Sequence, residues 1–209
     1  AKGMYLKGLE ISKAIAEETK TIESCRDLSI SYNKLGDICT AEGELEEAEK
    51  MYLKGLEISK AIAEEMKTVK THRNLMVSYE RLGNIYKTKG KLKKAKETYL
   101  QAFEIMKVLA EETKTVESRR DLSISYNNLG DIYKLEGKLE KAKEMYLQGL
   151  ENFKVLAEET KTLESRRDLA ISYGRLGDIY KTEGKLEEAK EKIELQVSQA
   201  SYKTAEAAK

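Results

Sequence analysis

The dipeptide Leu-Gly stands at 35/36, 82/83, 129/130 and 176/177, and each glycine follows the one before by 47 residues. A fixed period of this size means one supersecondary unit repeated, each copy burying its apolar face against its neighbours. A single copy can be read from residues 126–153, YNNLGDIYKLEGKLEKAKEMYLQGLENF. Apolar and small residues return every three or four positions from Tyr126 to Tyr133 and again from Leu139 to Phe153. The spacing predicts two amphipathic helices with a tight turn between them. Gly137 suits the turn, because glycine takes a left-handed backbone at little cost.

Tyr126, Leu129, Gly130, Tyr133, Gly137, Ala142, Tyr146 and Gly149 resemble the tetratricopeptide repeat in order and spacing. The copy before it matches through Tyr79, Leu82, Gly83, Tyr86, Gly90, Ala95, Tyr99 and Ala102. The first full copy matches through Tyr32, Leu35, Gly36, Gly43, Ala48, Tyr52 and Gly55, with Cys39 in place of the usual Tyr. The last matches through Tyr173, Leu176, Gly177, Tyr180, Gly184 and Ala189, then departs at Ile193 and Gln196. The resemblance implies an all-α fold, a right-handed solenoid of stacked antiparallel helix hairpins. The family's usual period is about 34 residues, so each copy here carries roughly 13 more. The closing proline of the family is missing, with Lys60, Lys107 and Lys154 near its place. Longer helices are therefore expected.

The chain is read as one solenoid over 1–209. A half repeat at 1–21 precedes full repeats at 22–68, 69–115 and 116–162, and a last repeat runs over 163–209. Nine helices are expected. Ala1 falls where Ala48, Ala95 and Ala142 fall, so the chain starts inside a second helix, and residues 4–18 are identical to 51–65. This start suggests part of a longer array, with Tyr5, Leu9 and Ile15 exposing an unmatched face. Ser24, Thr71, Ser118 and Ser165 are candidate N-caps of the first helices, with Thr21, Thr68, Thr115 and Thr162 as rivals one turn earlier. After Lys192, polar residues from Gln196 to Lys203 suit a terminal cap, and an appended or frayed helix end is the alternative.

Composition excludes several functions. Lys plus Arg is 38 against 37 Asp plus Glu, a balance that does not suit a general nucleic-acid binder. No apolar run nears the roughly 18 residues of a membrane span. Cys25 and Cys39 fall on one helix, about 21 Å apart at helical rise, too far for the roughly 7 Å a disulfide allows. Free thiols favour a reducing compartment, and a cytoplasmic location is expected. His72, the one histidine, occupies the place of Cys25, Arg119 and Arg166 and reads as drift at an exposed site. No phosphate loop, ligand cluster or nucleophile–base pair is present, so no enzyme activity, metal or cofactor is expected.

The candidate site is the first-helix face opposite Tyr126, Leu129 and Tyr133. At 100° per residue it holds Ile124, Asn127, Asp131 and Lys134. The equivalent rows are Ile30, Asn33, Asp37 and Thr40; Val77, Glu80, Asn84 and Lys87; and Ile171, Gly174, Asp178 and Lys181. The resemblance implies that this face lines a concave groove for a protein or peptide ligand. An Asn amide can grip an extended backbone at both its groups, and the apolar row can hold side chains. The carboxylate-clamp arrangement of the family is not evident. Two alternatives stand beside the groove. The polar residues could form a ladder between copies, Asp37 with Arg81 and Asp131 with Arg175. The array could also be a spacer or self-assembling rod, with end-to-end self-association. A consensus-type designed repeat is disfavoured by idiosyncratic stretches such as THRNLMVSYE. Finally, an acidic turn at 41–50 precedes a basic one at 87–96, read as a mutually screening edge or as a dock for an acidic partner on the second copy.

Overall fold

Thr21 is extended, and its hydroxyl accepts the backbone N–H of Ser24 at 3.2 Å, which starts a helix at Ile22. Thr68 and Thr162 do the same for the next helix in their copies, through Thr71 and Ser165, and Ser118 N–H donates to Thr115. The first helices therefore begin one turn earlier than a Ser cap would place them. Each Ser sits three positions into its helix and closes the cap. The Ser24 hydroxyl donates to Thr21 O at 2.8 Å and takes hydrogen bonds from Thr19 and Thr21. The trio recurs at Thr113, Thr115 and Ser118 and at Thr160, Thr162 and Ser165.

The computed structural model describes residues 2–184. Among them lie eight helices: α1 (Lys2–Thr19), α2 (Ile22–Ala41), α3 (Leu45–Met66), α4 (Val69–Thr88), α5 (Leu92–Thr113), α6 (Val116–Leu135), α7 (Leu139–Thr160) and α8 (Leu163–Thr182). The expected ninth helix, with the terminal cap, lies outside the described residues. First helices have 20 residues and the complete second helices 22, so the longer period goes into longer helices. None of the eight is long and apolar enough to cross a membrane.

The two kinds of turn end differently. First helices close on Gly43, Gly90, Gly137 and Gly184, all at positive φ. In the first three of these turns the N–H three positions past the helix reaches back five residues, as Glu44 N–H does to Cys39 O at 2.8 Å. Second helices instead close on Lys20, Lys67, Lys114 and Lys161, also left-handed, with φ between 46° and 53°. A Lys in that conformation is uncommon, and each is followed at once by the Thr cap of the next helix.

The chain divides into two compact units between Ser118 and Arg119. In the first, α1 packs on α2, α2 on α3, α3 on α4 and α4 on α5, with α2 and α4 also touching. Small residues set the spacing. A Cβ on Gly36 would stand 2.6 Å from the Tyr52 ring, and one on Gly83 would stand 2.7 Å from Tyr99. In the second unit Gly130 meets Tyr146 in the same way, at 2.4 Å. The core there gathers Ala142, Tyr146, Leu150, Leu176, Ile179 and Tyr180. Any larger residue at these glycines would overpack the hairpin, at a cost of about 1–3 kcal/mol. Cys25 and Cys39 both lie on α2 and are free, Cys39 fully buried.

Candidate functional site

The first-helix rows divide by depth. Ile30, Asp37, Asn84, Ile171, Gly174, Asp178 and Lys181 are exposed. Val77, Glu80, Lys87, Ile124, Asp131 and Lys134 are half-buried. Asn33 and Asn127 are each only 6% exposed. This departs from the sequence reading, which put both amides on an open groove.

The reason lies in the neighbouring helix. Asn33 Nδ2 donates to Ser78 Oγ on α4 at 3.4 Å, and Asn127 Nδ2 donates to Ser172 Oγ on α8 at 3.3 Å. In the first unit the network runs on from Ser78 to Ser59 at 3.1 Å and from Ser59 to Ser29 at 2.7 Å. The two Oδ1 atoms are buried without a hydrogen-bond partner. Each lies over a glycine of the second helix, close enough that a Cβ on Gly55 would sit 2.6 Å away and one on Gly149 3.0 Å away. An amide held so cannot grip a ligand backbone at both groups. Asn33 and Asn127 join copies together.

Asp37 and Asp131 form the ladder that stood as an alternative. Asp37 Oδ1 accepts from Arg81 Nε at 3.1 Å and from the Tyr52 hydroxyl at 2.8 Å. Asp131 pairs with Arg175 and accepts from the Tyr146 hydroxyl at 2.7 Å. Burial pushes the Tyr52 hydroxyl up to about 12, with Asp37 adding to the effect, so it remains a donor at neutral pH. In the second copy Asn84 stands in for Asp, and Tyr99 donates to its Oδ1 at 2.6 Å. Lys134 reaches Asp178 at 3.1 Å.

What remains open on this face is apolar with a polar border. Between α2 and α4 a narrow cleft of about 90 Å³ is lined by Arg26, Ile30, Asn33, Asn74, Val77 and Arg81, among others. Ile30 and Val77 supply its apolar lip. Both were expected at this face, whereas the flanking Arg26 and Asn74 were not singled out in the sequence. They lie four and three positions before Ile30 and Val77, so the same helical spacing would have found them.

The acidic and basic turns do meet. Lys89 bonds Glu49 at 2.6 Å and Glu46 at 3.1 Å, and Lys91 bonds Glu49 at 3.1 Å. In the second unit the same two positions carry the opposite signs, Lys143 and Glu183, 3.7 Å apart. The pairing is kept while its polarity is reversed. The edge is thus screened within the array, which leaves the reading of an acidic dock with less free charge to draw on. A second, open groove of about 700 Å³ lies among α3, α4 and α5, with Leu75, Ile105, Val108 and Leu109 in its lining and the expected drift residue His72 beside them. No group of His, Cys, Asp and Glu able to hold a metal is found among the described residues.

The sequence profile of the tetratricopeptide repeat matches residues 27–108 and 75–155, and a second profile of the same description matches 170–201. The chain belongs to the tetratricopeptide repeat family. Solved structures agree on the fold. A Podosopora anserina protein with nearly identical TPR-like repeats, named for the kinesin light chain, is 24% identical with a TM-score of 0.62. The match covers 98% of this chain and 90% of that one. BtubC (BKLC) from P. vanneervenii is 20% identical over 97% of this chain and 91% of its own, with a TM-score of 0.55. The apo form of RapI is 13% identical, covering 90% of this chain and 66% of that one, with a TM-score of 0.62. At these identities the likeness concerns the fold alone. No curated protein sequence matches the chain. The tetratricopeptide repeat fold is generally a non-catalytic scaffold for protein–protein interaction.

Proposed function

We propose that this tetratricopeptide repeat chain binds a segment of a partner protein along its first-helix face, on α2 and α4 in one unit and on α6 and α8 in the other. The exposed Ile30 beside Val77, at the lip of a cleft bordered by Arg26, Asn74 and Arg81, carries this reading. An apolar anchor flanked by donors suits a short segment with one apolar side chain and backbone carbonyls or carboxylates beside it. Ile124 and Ile171 give the second unit the same apolar row. Packed helices stand about 8–10 Å apart, which spans roughly three residues of an extended ligand. The ligand contacts are Ile30, Val77, Glu80, Asn84, Lys87, Ile124, Lys134, Ile171, Asp178 and Lys181. Asp37 and Asp131 contribute mainly by holding Arg81 and Arg175 in place. No cofactor and no catalysis enter this role. The free thiols of Cys25 and Cys39 suit a reducing compartment, and we place the chain in the cytoplasm.

A random peptide library displayed on phage, panned against the full chain, tests the proposal. Selected peptides should share an apolar anchor and lose about tenfold in affinity on Ile30→Gln, the equivalent of roughly 1.4 kcal/mol. Failure to enrich any sequence, or equal binding to the variant, contradicts it.

A further inference from the structure

His72 departs from the copies that follow it, where the same repeat position holds Arg119 and Arg166. Arg119 on α6 forms a two-pronged ion pair with Glu159 on α7, its Nη1 on Oε1 at 3.1 Å. The repeat counterpart of Glu159 is Glu112, near the end of α5. No Arg meets it there. His72 Nδ1 lies 2.9 Å from Thr68 O, so the imidazole bonds its own helix. Glu112 is left exposed at the open groove among α3, α4 and α5.

That groove, of about 700 Å³, is apolar inside and charged at its rims. Ala63, Leu75 and Leu109 are buried in its lining, while Val69 and Val108 are 43% and 51% exposed. The α3 rim carries Lys60 and Lys67, with Glu64 between them. The α5 rim carries Glu104 and Glu112, with Val108 midway. Among the described residues none of Lys60, Lys67, Glu104 and Glu112 is in an ion pair. Seven or eight positions are two helical turns, about 10–12 Å along the axis, so each rim repeats its charge at the spacing of a helix face. Glu64 offsets part of the basic rim, which makes the acidic one the stronger. At 100° per residue, His72, Leu75 and Tyr79 lie on the side of α4 away from Val77, Glu80 and Asn84. The groove is thus separate from the first-helix face.

We propose that this groove is a docking site for an amphipathic helix of a partner protein, with an apolar stripe on Leu75, Val108 and Leu109 and two cations, two turns apart, on Glu104 and Glu112. The cation at Glu112 takes the place that Arg119 holds at Glu159. Carboxylates on the other flank of the helix meet Lys60 and Lys67. Apolar contact holds such a helix in the groove, and the opposed rims fix its direction.

The test uses the full chain and a designed helix, held by a hydrocarbon staple on its outer side. It carries a leucine stripe, two arginines two turns apart on one flank and two glutamates two turns apart on the other. Fluorescence anisotropy should give saturable binding to the wild type. Val108→Lys should weaken it at least tenfold, because the new ammonium lies four positions from both Glu104 and Glu112 and pairs with them without harming the helix. His72→Arg should weaken binding as well, with no loss in melting temperature, since Arg there engages Glu112 from within. A chain carrying both Glu104→Arg and Glu112→Arg should lose the peptide and regain binding when both peptide arginines are glutamates. Absence of saturable binding, normal binding to Val108→Lys or His72→Arg, or failure of the charge-reversal rescue overturns the proposal. Equal binding of a peptide with glutamine in place of both arginines overturns it too. So does a concentration-dependent dimer of the chain alone that Val108→Lys dissolves, since a second copy would then be the occupant.

Discussion

Arg81 Nε donates to Asp37 Oδ1 at 3.1 Å, joining α4 to α2 across 44 residues of sequence. The same carboxylate oxygen takes the Tyr52 hydroxyl of α3, so one atom ties three helices. The second unit repeats the arrangement with Asp131, Arg175 and Tyr146. A double-mutant cycle with Asp37→Asn and Arg81→Met should give a coupling energy of about 0.5–1 kcal/mol, the range of a partly exposed pair. Urea unfolding of the four proteins measures it, and a coupling of zero would show the pair to be incidental.

The left-handed lysines predict a gain in stability. Lys114 has φ 52° and ψ 23° and ends α5 with its N–H on Ala110 O at 3.1 Å. Glycine takes this conformation without the Cβ penalty, so Lys114→Gly should stabilise the chain by about 0.5–1 kcal/mol. A lowered melting temperature in the variant would mean that the Lys side chain supports the turn in some other way.

The charged edge predicts a dependence on pH. Burial alone would raise the Glu49 carboxyl, but hydrogen bonds from Lys89 and Lys91 outweigh it and hold the group below its usual range. The hydrogen bond to Glu49 raises Lys89 in turn, against the opposing effect of burial. A depressed carboxylate stabilises the fold above its unfolded value, about 4.3, and loses that contribution as pH falls through the folded value. A raised ammonium stabilises below about 10.4 and loses its contribution as pH rises past that. The pair is therefore at full strength between about pH 5 and 10. Lys89→Met should lower stability at pH 7 and shrink the loss between pH 7 and pH 3. Equal losses in variant and wild type would remove Glu49 from the acid response.

Periodicity made the hairpins legible, because Gly36, Gly83 and Gly130 and the tyrosines they meet return at one spacing. Helix starts were less so. Thr21 and Ser24 can both cap, and what decides between them is the extended backbone of Thr21, which no residue type announces. Lys67, Lys114 and Lys161 as helix ends were not legible either, since Lys carries no preference for positive φ. The depth of Asn33 escaped for another reason. The 100° rule places it on the same side as Ile30, but its burial depends on how closely α4 brings Ser78, 45 residues away. Asp37 and Arg81 were legible as a pair because opposite charges recur at a fixed offset, again at Asp131 and Arg175.

The division of the first-helix face into ligand contacts and joints between copies is tested most directly by Ile30→Gln and Asn33→Ala, each titrated with one library-selected peptide. Both replacements keep a good helix former, so the helix itself should persist. The structure buries Asn33 and exposes Ile30. Ile30→Gln should therefore lose about tenfold in affinity with little change in melting, whereas Asn33→Ala should bind within about twofold of wild type. If Asn33→Ala abolishes binding while Ile30→Gln binds normally, the amide is a ligand contact after all and the division is wrong.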